Sequence, residues 1–363
     1  LSKVIVLHDF DGSLYFKALE SVAEVQYFNI QPFRFLVRDI VKHRKMQKST
    51  VNSLLFILSM FFKRNATVII GTAPFNFRFL IYAFILSGKN KVYLHTSWPY
   101  WVESPPVRYP SFLNKLAKKL WIKSLPKLNG VIAVTKATKN SVMNFLESNQ
   151  CKVPYAVTQI YHVVDISKIS DKLFSDKWQK PENVTFLGRL EAEKGISEFL
   201  ELSKNFSERE TLKFQVIGKG SLEKKVVHWA GSSGNNVYHG FISSRGKIKE
   251  LLAKTNVLVL PSKRIPGWEE LFGLVIIEAM SQGVIVLTTD HIGPKEIIEN
   301  GYDSFFCPEE RFITFASTIL DQLSEQPVKY SQIAQKAIVK SQAFNMAAIG
   351  REWKEFLKVN KLD

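Results

Sequence analysis

The stretch ENVTFLGRL (182–190) is a short apolar run that meets a glycine and then turns basic. LKFQVIGKG (212–220), NNVYHGFIS (235–243), TNVLVLPSK (255–263) and VIVLTTD (284–290) repeat the pattern of an apolar run followed by turn or cap residues. Apolar residues on consecutive positions, rather than alternate ones, mark a strand covered on both faces, as in a parallel sheet flanked by helices. Working outward, KVIVLHDFDGSL (3–14), ATVIIGTAP (66–74), NKVYLHTSW (90–98) and LNGVIAVTK (128–136) carry the same signature earlier in the chain. The first of these reads as strand, loop and a helix continuing through Val25. Segments of helical length separate the rest. The expected fold class is therefore α/β, with two doubly wound, Rossmann-like domains in tandem. The join falls in 161–183, where periodicity lapses and polar residues gather, giving an expected first domain of 1–165 and a second of 166–340.

Length and composition agree with that division. A chain of 363 residues exceeds the size at which one hydrophobic core keeps growing. With 46% hydrophobic and 23% charged residues it has the composition of a soluble globular protein, and no apolar stretch reaches the ~18 residues of a membrane span. The longest candidate, VNSLLFILSMFF (51–62), reads as a core helix. Cys151 and Cys307 lack metal-ligand spacing and suit a reducing cytoplasm. No secretory leader is visible, although the chain opens on Leu1. The net charge of +16 is unevenly spread: residues 1–165 hold 22 Lys and Arg against 8 Asp and Glu, and 166–363 hold 27 against 25. Two domains with different partners are expected from that asymmetry.

In open parallel sheets ligands bind beyond the carboxyl ends of the strands. Four such loops in the second part carry suggestive chemistry. Arg189 and Lys194 follow the first strand, Gly218-Lys219-Gly220 the second, Gly240-Phe241 the third, and the fourth leads to Glu270, Phe272 and Gly273. Arg189 offers a planar fork and Lys194 a point charge, a pairing able to neutralise a diphosphate without metal. Gly273 would let a ligand approach the amides that open the next helix. In EELFGLVIIEAMSQG (269–283) the apolar residues leave no polar face, so Glu278 is expected to be a buried acid. A vicinal diol would satisfy such a carboxylate, which makes Glu278 a candidate for a ribose and Glu270 for a second polyol. Each feature also has a structural reading: Glu278 as an acid paired with a nearby lysine, Arg189 and Lys194 as a solvated turn, and the Gly-Lys-Gly as an ordinary tight turn without the full phosphate-loop pattern.

FLGRLEAEKG, VIGKG, VYHGFIS, LLAKTNVLVLPS and WEELFGLVIIEAMSQGVIVLTTDHIGPKEIIENGYDSFF resemble, in this order, the nucleotide-sugar domain of the retaining glycosyltransferases of family 4, which have the GT-B fold of two domains facing across a cleft. The resemblance covers about 155–357 and is thin before it. It implies a nucleoside-diphosphate-sugar donor, UDP- or GDP-linked, and a glycan or lipid-linked acceptor. Carried over residue by residue, it implies that Arg189 and Lys194 bind the donor diphosphate, Glu270 the transferred sugar and Glu278 the ribose. The amides around Phe272, Gly273 and Leu274 complete the contacts, with Gly218, Gly240 and Phe241 lining the donor side. It implies no metal and no cofactor, and a last helix, 341–363, that crosses back to the first domain. The chain departs from the family's pattern at Val284, where a proline is usual, and at Ile292, where a second glycine precedes Pro294.

His95 ends a strand in the first part, where the family often has a histidine contacting the donor sugar, so it joins the catalytic candidates. Gly12, Asp11 and Trp98 are candidates for the acceptor side. A rival reading starts from HDFDGS, which is similar to the first motif of the haloacid-dehalogenase phosphatases, with Asp9 as nucleophile, Asp11 as acid/base and Mg²⁺ as cofactor. That chemistry needs later acids to hold the metal, and Glu103, Glu147 and Asp165 stand singly. The same Asp-x-Asp also fits the metal-dependent glycosyltransferase fold. A third reading is a non-catalytic binder of RNA or of an anionic membrane. The first-part charge is mostly lysine on helices rather than arginine interleaved with aromatics, which speaks against nucleic acid. SFLNKLAKKLWIKSL (111–125) sets Leu113, Leu116, Leu120 and Trp121 against Lys115, Lys118, Lys119 and Lys123, and RDIVKHRKMQK (38–48) adds a second basic cluster. Both point to an anionic membrane surface, and hence to a cytoplasmic protein peripheral to the inner face of a membrane.

Overall fold

A computed structural model of the chain describes every residue except 1, 10–12, 44–45, 104–108, 208–210, 267 and 362–363. It divides into two compact units, Leu1–Val163 with Met346–Asp363, and Val164–Asn345.

The first unit is built on a six-stranded parallel sheet: β1 Ser2–His8, β2 Ala23–Asn29, β3 Thr67–Gly71, β4 Lys91–Thr96, β5 Gly130–Ala133 and β6 Val157–Gln159, in the order β2-β1-β3-β4-β5-β6. Alternation along the strands sends Ile5, Leu7, Val68, Ile70, Val92 and Leu94 into one core. Val4, Val6, Ile69, Tyr93 and Ile132 enter another on the opposite face. Both faces are covered, which is why the strands are apolar at consecutive positions. The last helix, Met346–Val359, supplies Ile349, Trp353, Phe356 and Leu357 to the second of these cores.

The second unit repeats the plan with β7 Asn183–Leu187, β8 Lys213–Ile217, β9 Asn236–Tyr238, β10 Val257–Leu260, β11 Ile285–Thr289 and β12 Phe305–Cys307, ordered β12-β11-β10-β7-β8-β9. The order reverses between β7 and β10. These two strands pair only at Val184 with Val257 and Thr185 with Leu258. Beyond that register their carboxyl ends form the topological switch point, where open α/β sheets take ligands.

Several sequence expectations are corrected. The first helix ends at Glu20, and Ala23–Asn29 is strand rather than helix, because a turn at Ser21 and Val22 returns the chain to pair in parallel with β1. The 161–183 segment is not a bare linker. It contains the helix Asp171–Gln179, whose buried Trp178 donates from Nε1 to Gly283 O and whose Lys177 donates to Thr255 O and Gln282 O. The apolar 51–62 segment lies on the helix Lys48–Ser59 and its 3₁₀ continuation Met60–Phe62, and it is not a core helix. Phe56 and Met60 are buried while Leu55, Leu58, Phe61 and Phe62 are exposed. In the helix Ser111–Ser124, Ala117 and Trp121 face the core, and the Trp121 ring lies 4.2 Å from that of Phe79. The same helix leaves Phe112 and Leu116 exposed.

Candidate functional site

The loop after β7 carries Arg189, then the 3₁₀ turn Ala192–Lys194, and ends on Gly195 at φ 73°. A β-carbon at Gly195 would stand 1.8 Å from Pro261 O, so glycine alone lets this loop lie against the loop after β10. That close approach joins both sides of the switch point and sets Lys194 against residues near the end of the β10 loop. Lys194 Nζ donates to Glu270 Oε2 at 2.5 Å and stands 4.8 Å from the centre of the Trp268 ring. Both side chains of the pair are about one-fifth exposed, 20% and 22%. Two residues expected to hold separate parts of one ligand are thus joined to each other. Arg189, more open, pairs through Nη2 with Glu193 Oε1 at 3.1 Å.

The helix Leu274–Ser281 starts at Gly273, whose φ of 80° turns the chain so that the first amides are reached without a side-chain cap. Those amides and the helix dipole favour an anion. The helix is not buried all round: Ile276, Ile277, Ala279 and Met280 face the core, while Leu274, Val275 and Glu278 are half-buried on the other side. Glu278 accepts from Arg245 Nη1 at 2.6 Å, so it is an acid with a partner, and the partner is an arginine rather than a lysine. Burial pushes its carboxyl above the usual range against the opposing pull of Arg245. The Phe272 side chain is buried, edge-on to Phe344 at 6.2 Å, which leaves its backbone as the part that can meet a ligand.

Gly218 N donates to Gly240 O at 2.9 Å, which brings the turns after β8 and β9 together. Beside them the exposed Phe241 ring carries Lys219 Nζ at 4.1 Å from its centre. In the first unit, His95 is next to last on β4 at 5% exposure, its ring 4.6 Å from Phe16, 5.8 Å from His162 and 6.4 Å from His8. Burial first, then the neighbouring His162 and His8, holds its pKa well below the ordinary histidine value, so it is a neutral imidazole. Trp98 donates from Nε1 to Tyr100 O at 3.2 Å. Asp9 is engaged by Gln31 Nε2 at 2.8 Å and by the Thr72 hydroxyl at 3.3 Å. Asp11 and Gly12 lie outside the described residues. Among the described residues no group of three or more His, Cys, Asp or Glu is placed to share a metal ion.

Sequence reasoning missed the residues that hold the Glu270 loop. Glu270 N donates to His291 Nδ1 at 3.1 Å, and His291 Nε2 bonds to Ser262 O at 2.9 Å, which sets the neutral Nε2–H tautomer. Burial lowers the His291 pKa, consistent with that state. Glu269 Oε2 accepts from Ile292 N at 3.1 Å, and burial raises its pKa. Arg264 ties the same region to Asp290 and Glu309, each at 3.1 Å. The paired acids at 269 and 270 were the available signal. The first of the two fastens the loop and the second faces Lys194.

The architecture defines a class first: two six-stranded parallel α/β units, as in GT-B glycosyltransferase structures. Anabaena HepE in complex with UDP and glucose superposes with a TM-score of 0.68 at 18% identity, covering 99% of this chain and 100% of that one. Residues 165–340, nearly all of the second unit, match the family model described as Glycosyl transferases group 1. An uncharacterized glycosyltransferase of Haemophilus influenzae is 27% identical over 203 residues, 54% of this chain and 55% of its own length. The 2-deoxystreptamine N-acetyl-D-glucosaminyltransferase of Niallia circulans is 25% identical over 208 residues, 54% of this chain and 51% of its own length. The chain spans about half the length of the curated relatives it matches.

Proposed function

We propose that the protein is a glycosyltransferase that moves a sugar from a nucleoside-diphosphate-sugar to a hydroxyl of a glycan or lipid-linked acceptor, with retention of configuration and without a metal. The observation that carries this reading is the Lys194–Glu270 pair, set at the switch point of a domain that matches the glycosyltransferase model. A lysine held by a carboxylate keeps its position, and it can turn its ammonium to phosphate oxygens when a donor arrives. Arg189 is more exposed and exchanges Glu193 for the diphosphate at little cost, since an exposed ion pair contributes only about 0–1 kcal/mol. As the bond from sugar to phosphate breaks, the departing diphosphate gains charge, and these two cations stabilise it. Glu270 positions the sugar, Glu278 the ribose, and the amides after Gly273 complete the anion site. Neutral His95 is suited to a hydrogen bond with the sugar rather than to ion pairing. HepE was solved with UDP and glucose, which supports a UDP-linked donor as the first to try. We place the reaction in the cytoplasm on the reading of the two cysteines.

A donor-hydrolysis screen across UDP- and GDP-sugars, with and without EDTA, tests the reading. Release of nucleoside diphosphate from one donor, undiminished by EDTA, is expected. No release from any donor sinks the proposed activity. Loss in EDTA restored by Mg²⁺ rejects the metal-free mechanism and revives Asp9 with Asp11 as a centre.

A further inference from the structure

The net charge of the chain lies wholly in one unit. Divided as the structure divides it, the first unit holds 26 Lys and Arg against 10 Asp and Glu, and the second holds 23 against 23. Nine of the first unit's 26 cations gather at the amino ends of the strands, opposite the edge where ligands of such sheets bind. A hollow of about 1340 Å³ opens there. Among the described residues nine that line it are Lys or Arg and none is Asp or Glu; Lys3 stands 3.8 Å from Glu24, and Lys91 donates to Asn360 O and Lys361 O. Lys63, Arg64, Lys89 and Lys127 come from the loops under the sheet, and Lys354 and Lys358 from the last helix.

An apolar face adjoins the hollow. Leu55 and Leu58 on the helix Lys48–Ser59, and Phe61 and Phe62 on its 3₁₀ continuation, point to solvent, Phe62 with 83% of its surface exposed. The neighbouring helix Phe77–Leu86 packs against that continuation and exposes Ile81 and Phe84, the latter at 81%. These two apolar runs lead directly into the rim of the hollow: Lys63 and Arg64 follow Phe62, and Lys89 stands five residues after Phe84. Lys63 and Gln26 also line a shallow cleft with Leu55, so the apolar face and the cationic hollow form one surface.

We propose that the first unit docks on an anionic lipid bilayer through this surface, with the six apolar side chains entering the acyl boundary and the cations of the hollow meeting lipid phosphates. The combination selects the partner. A single-stranded nucleic acid would use the cations and stack on phenylalanine but gains nothing from Leu55, Leu58 and Ile81, and a protein partner would require acids opposite the lysine set. A bilayer with anionic headgroups over hydrocarbon matches both halves. Among the described residues no helix is long and apolar enough to cross a membrane. The lysine-flanked helix Ser111–Ser124, which exposes Phe112 and Leu116 but buries Trp121, is the comparison face in the test.

The test is co-flotation of the full chain with vesicles of phosphatidylcholine alone and of phosphatidylcholine mixed with phosphatidylglycerol. Binding to the mixed vesicles only, weakening as salt rises, is expected. F62S/F84S and K63E/R64E should each lower it at least about tenfold, and K115E/K119E should change it by less than about twofold. Unfolding midpoints and donor hydrolysis serve as fold controls, because none of these residues belongs to the donor site. A Phe62→Trp variant adds a second readout, a blue shift of its emission on mixed vesicles alone. Equal binding to both vesicle types, or none at low salt, overturns the proposal. So does a dimer formed without vesicles and lost in F62S/F84S, or an RNA complex that K63E/R64E abolishes while vesicles fail to bind.

Discussion

Lys194 and Glu270 neutralise each other through one hydrogen bond, so a change in either is felt by both. Glu270→Gln keeps the shape and removes the charge that holds Lys194. Lys194→Ala removes a contact to a leaving group whose charge grows in the transition state. Each is expected to reduce transfer by about 2 to 4 kcal/mol of barrier with the unfolding midpoint nearly unchanged. Steady-state rates and circular dichroism on the same preparations check both, and near-normal turnover by a folded Lys194→Ala protein removes it from the diphosphate role. The buried histidines of the first unit set a second prediction. Burial, with His8 nearby, lowers the His162 pKa to about 3 from an ordinary 6.5. Between those values the unfolded chain binds a proton that the folded chain does not, so stability is complete above pH 6.5 and is lost as pH falls toward 3. The loss from this one residue is about 2 kcal/mol at pH 5. Urea midpoints across pH 4 to 7 should show a steep decline that His162→Phe flattens; an equal slope in both proteins refutes the assignment. Residue types and loop positions were legible in the sequence here, but partner choice was not. Arg245 reaches Glu278 across 33 residues and Lys194 reaches Glu270 across 76, and only folded loops decide such pairings.

At the scale of elements, the strands of the second unit were readable because buried parallel strands have a continuous apolar signature. Of the three strands of three residues, β9 was readable from the Gly-Phe turn that follows it, whereas β6 and β12 have no such turn to mark them. β2 was hidden for another reason. Its pattern is half-buried and polar at an edge, so it does not look like its neighbours. The helix at 48–59 differs from a core helix because apolar density does not say which side chains face the sheet: Phe56 and Met60 do, and Leu55 and Leu58 do not. Loop geometry, in contrast, makes a sharp prediction at Gly195. Alanine there meets both the strain of a left-handed backbone and the oxygen of Pro261, so the loop must move away from the β10 side. Gly195→Ala should cost at least about 2 kcal/mol of stability and also impair transfer, because Lys194 is the preceding residue. Gly246→Ala, with only the Ser244 hydroxyl at 3.8 Å from the added carbon, is the matched control and should be nearly silent. If both alanine variants behave alike in thermal unfolding and turnover, the close approach at Gly195 is not what holds the loop.

For the whole molecule, the path of the chain matters more than the size of either sheet. The chain begins in the first unit, builds the second entirely within Val164–Asn345, and returns its last residues to the first. The second unit is therefore continuous and the first is split. Ile349, Trp353, Phe356 and Leu357 fill one face of the first sheet against Val4, Val6 and Ile69. At about 1.5 to 3 kcal/mol for each large apolar side chain buried, these four contribute roughly as much as a domain's entire net stability. Removal of 346–363 is thus expected to unfold the first unit while leaving the second native. Hydrogen exchange read by peptide should show β1, β3 and β4 losing protection in the truncated chain and β7, β10 and β11 keeping it. Trp353→Ala, a cavity of one side chain, should shift the same strands in the same direction by about 3 to 5 kcal/mol. Uniform loss of protection across both units would mean that they fold as one cooperative body, and unchanged protection in β1 would mean that the last helix is not part of the first unit's core.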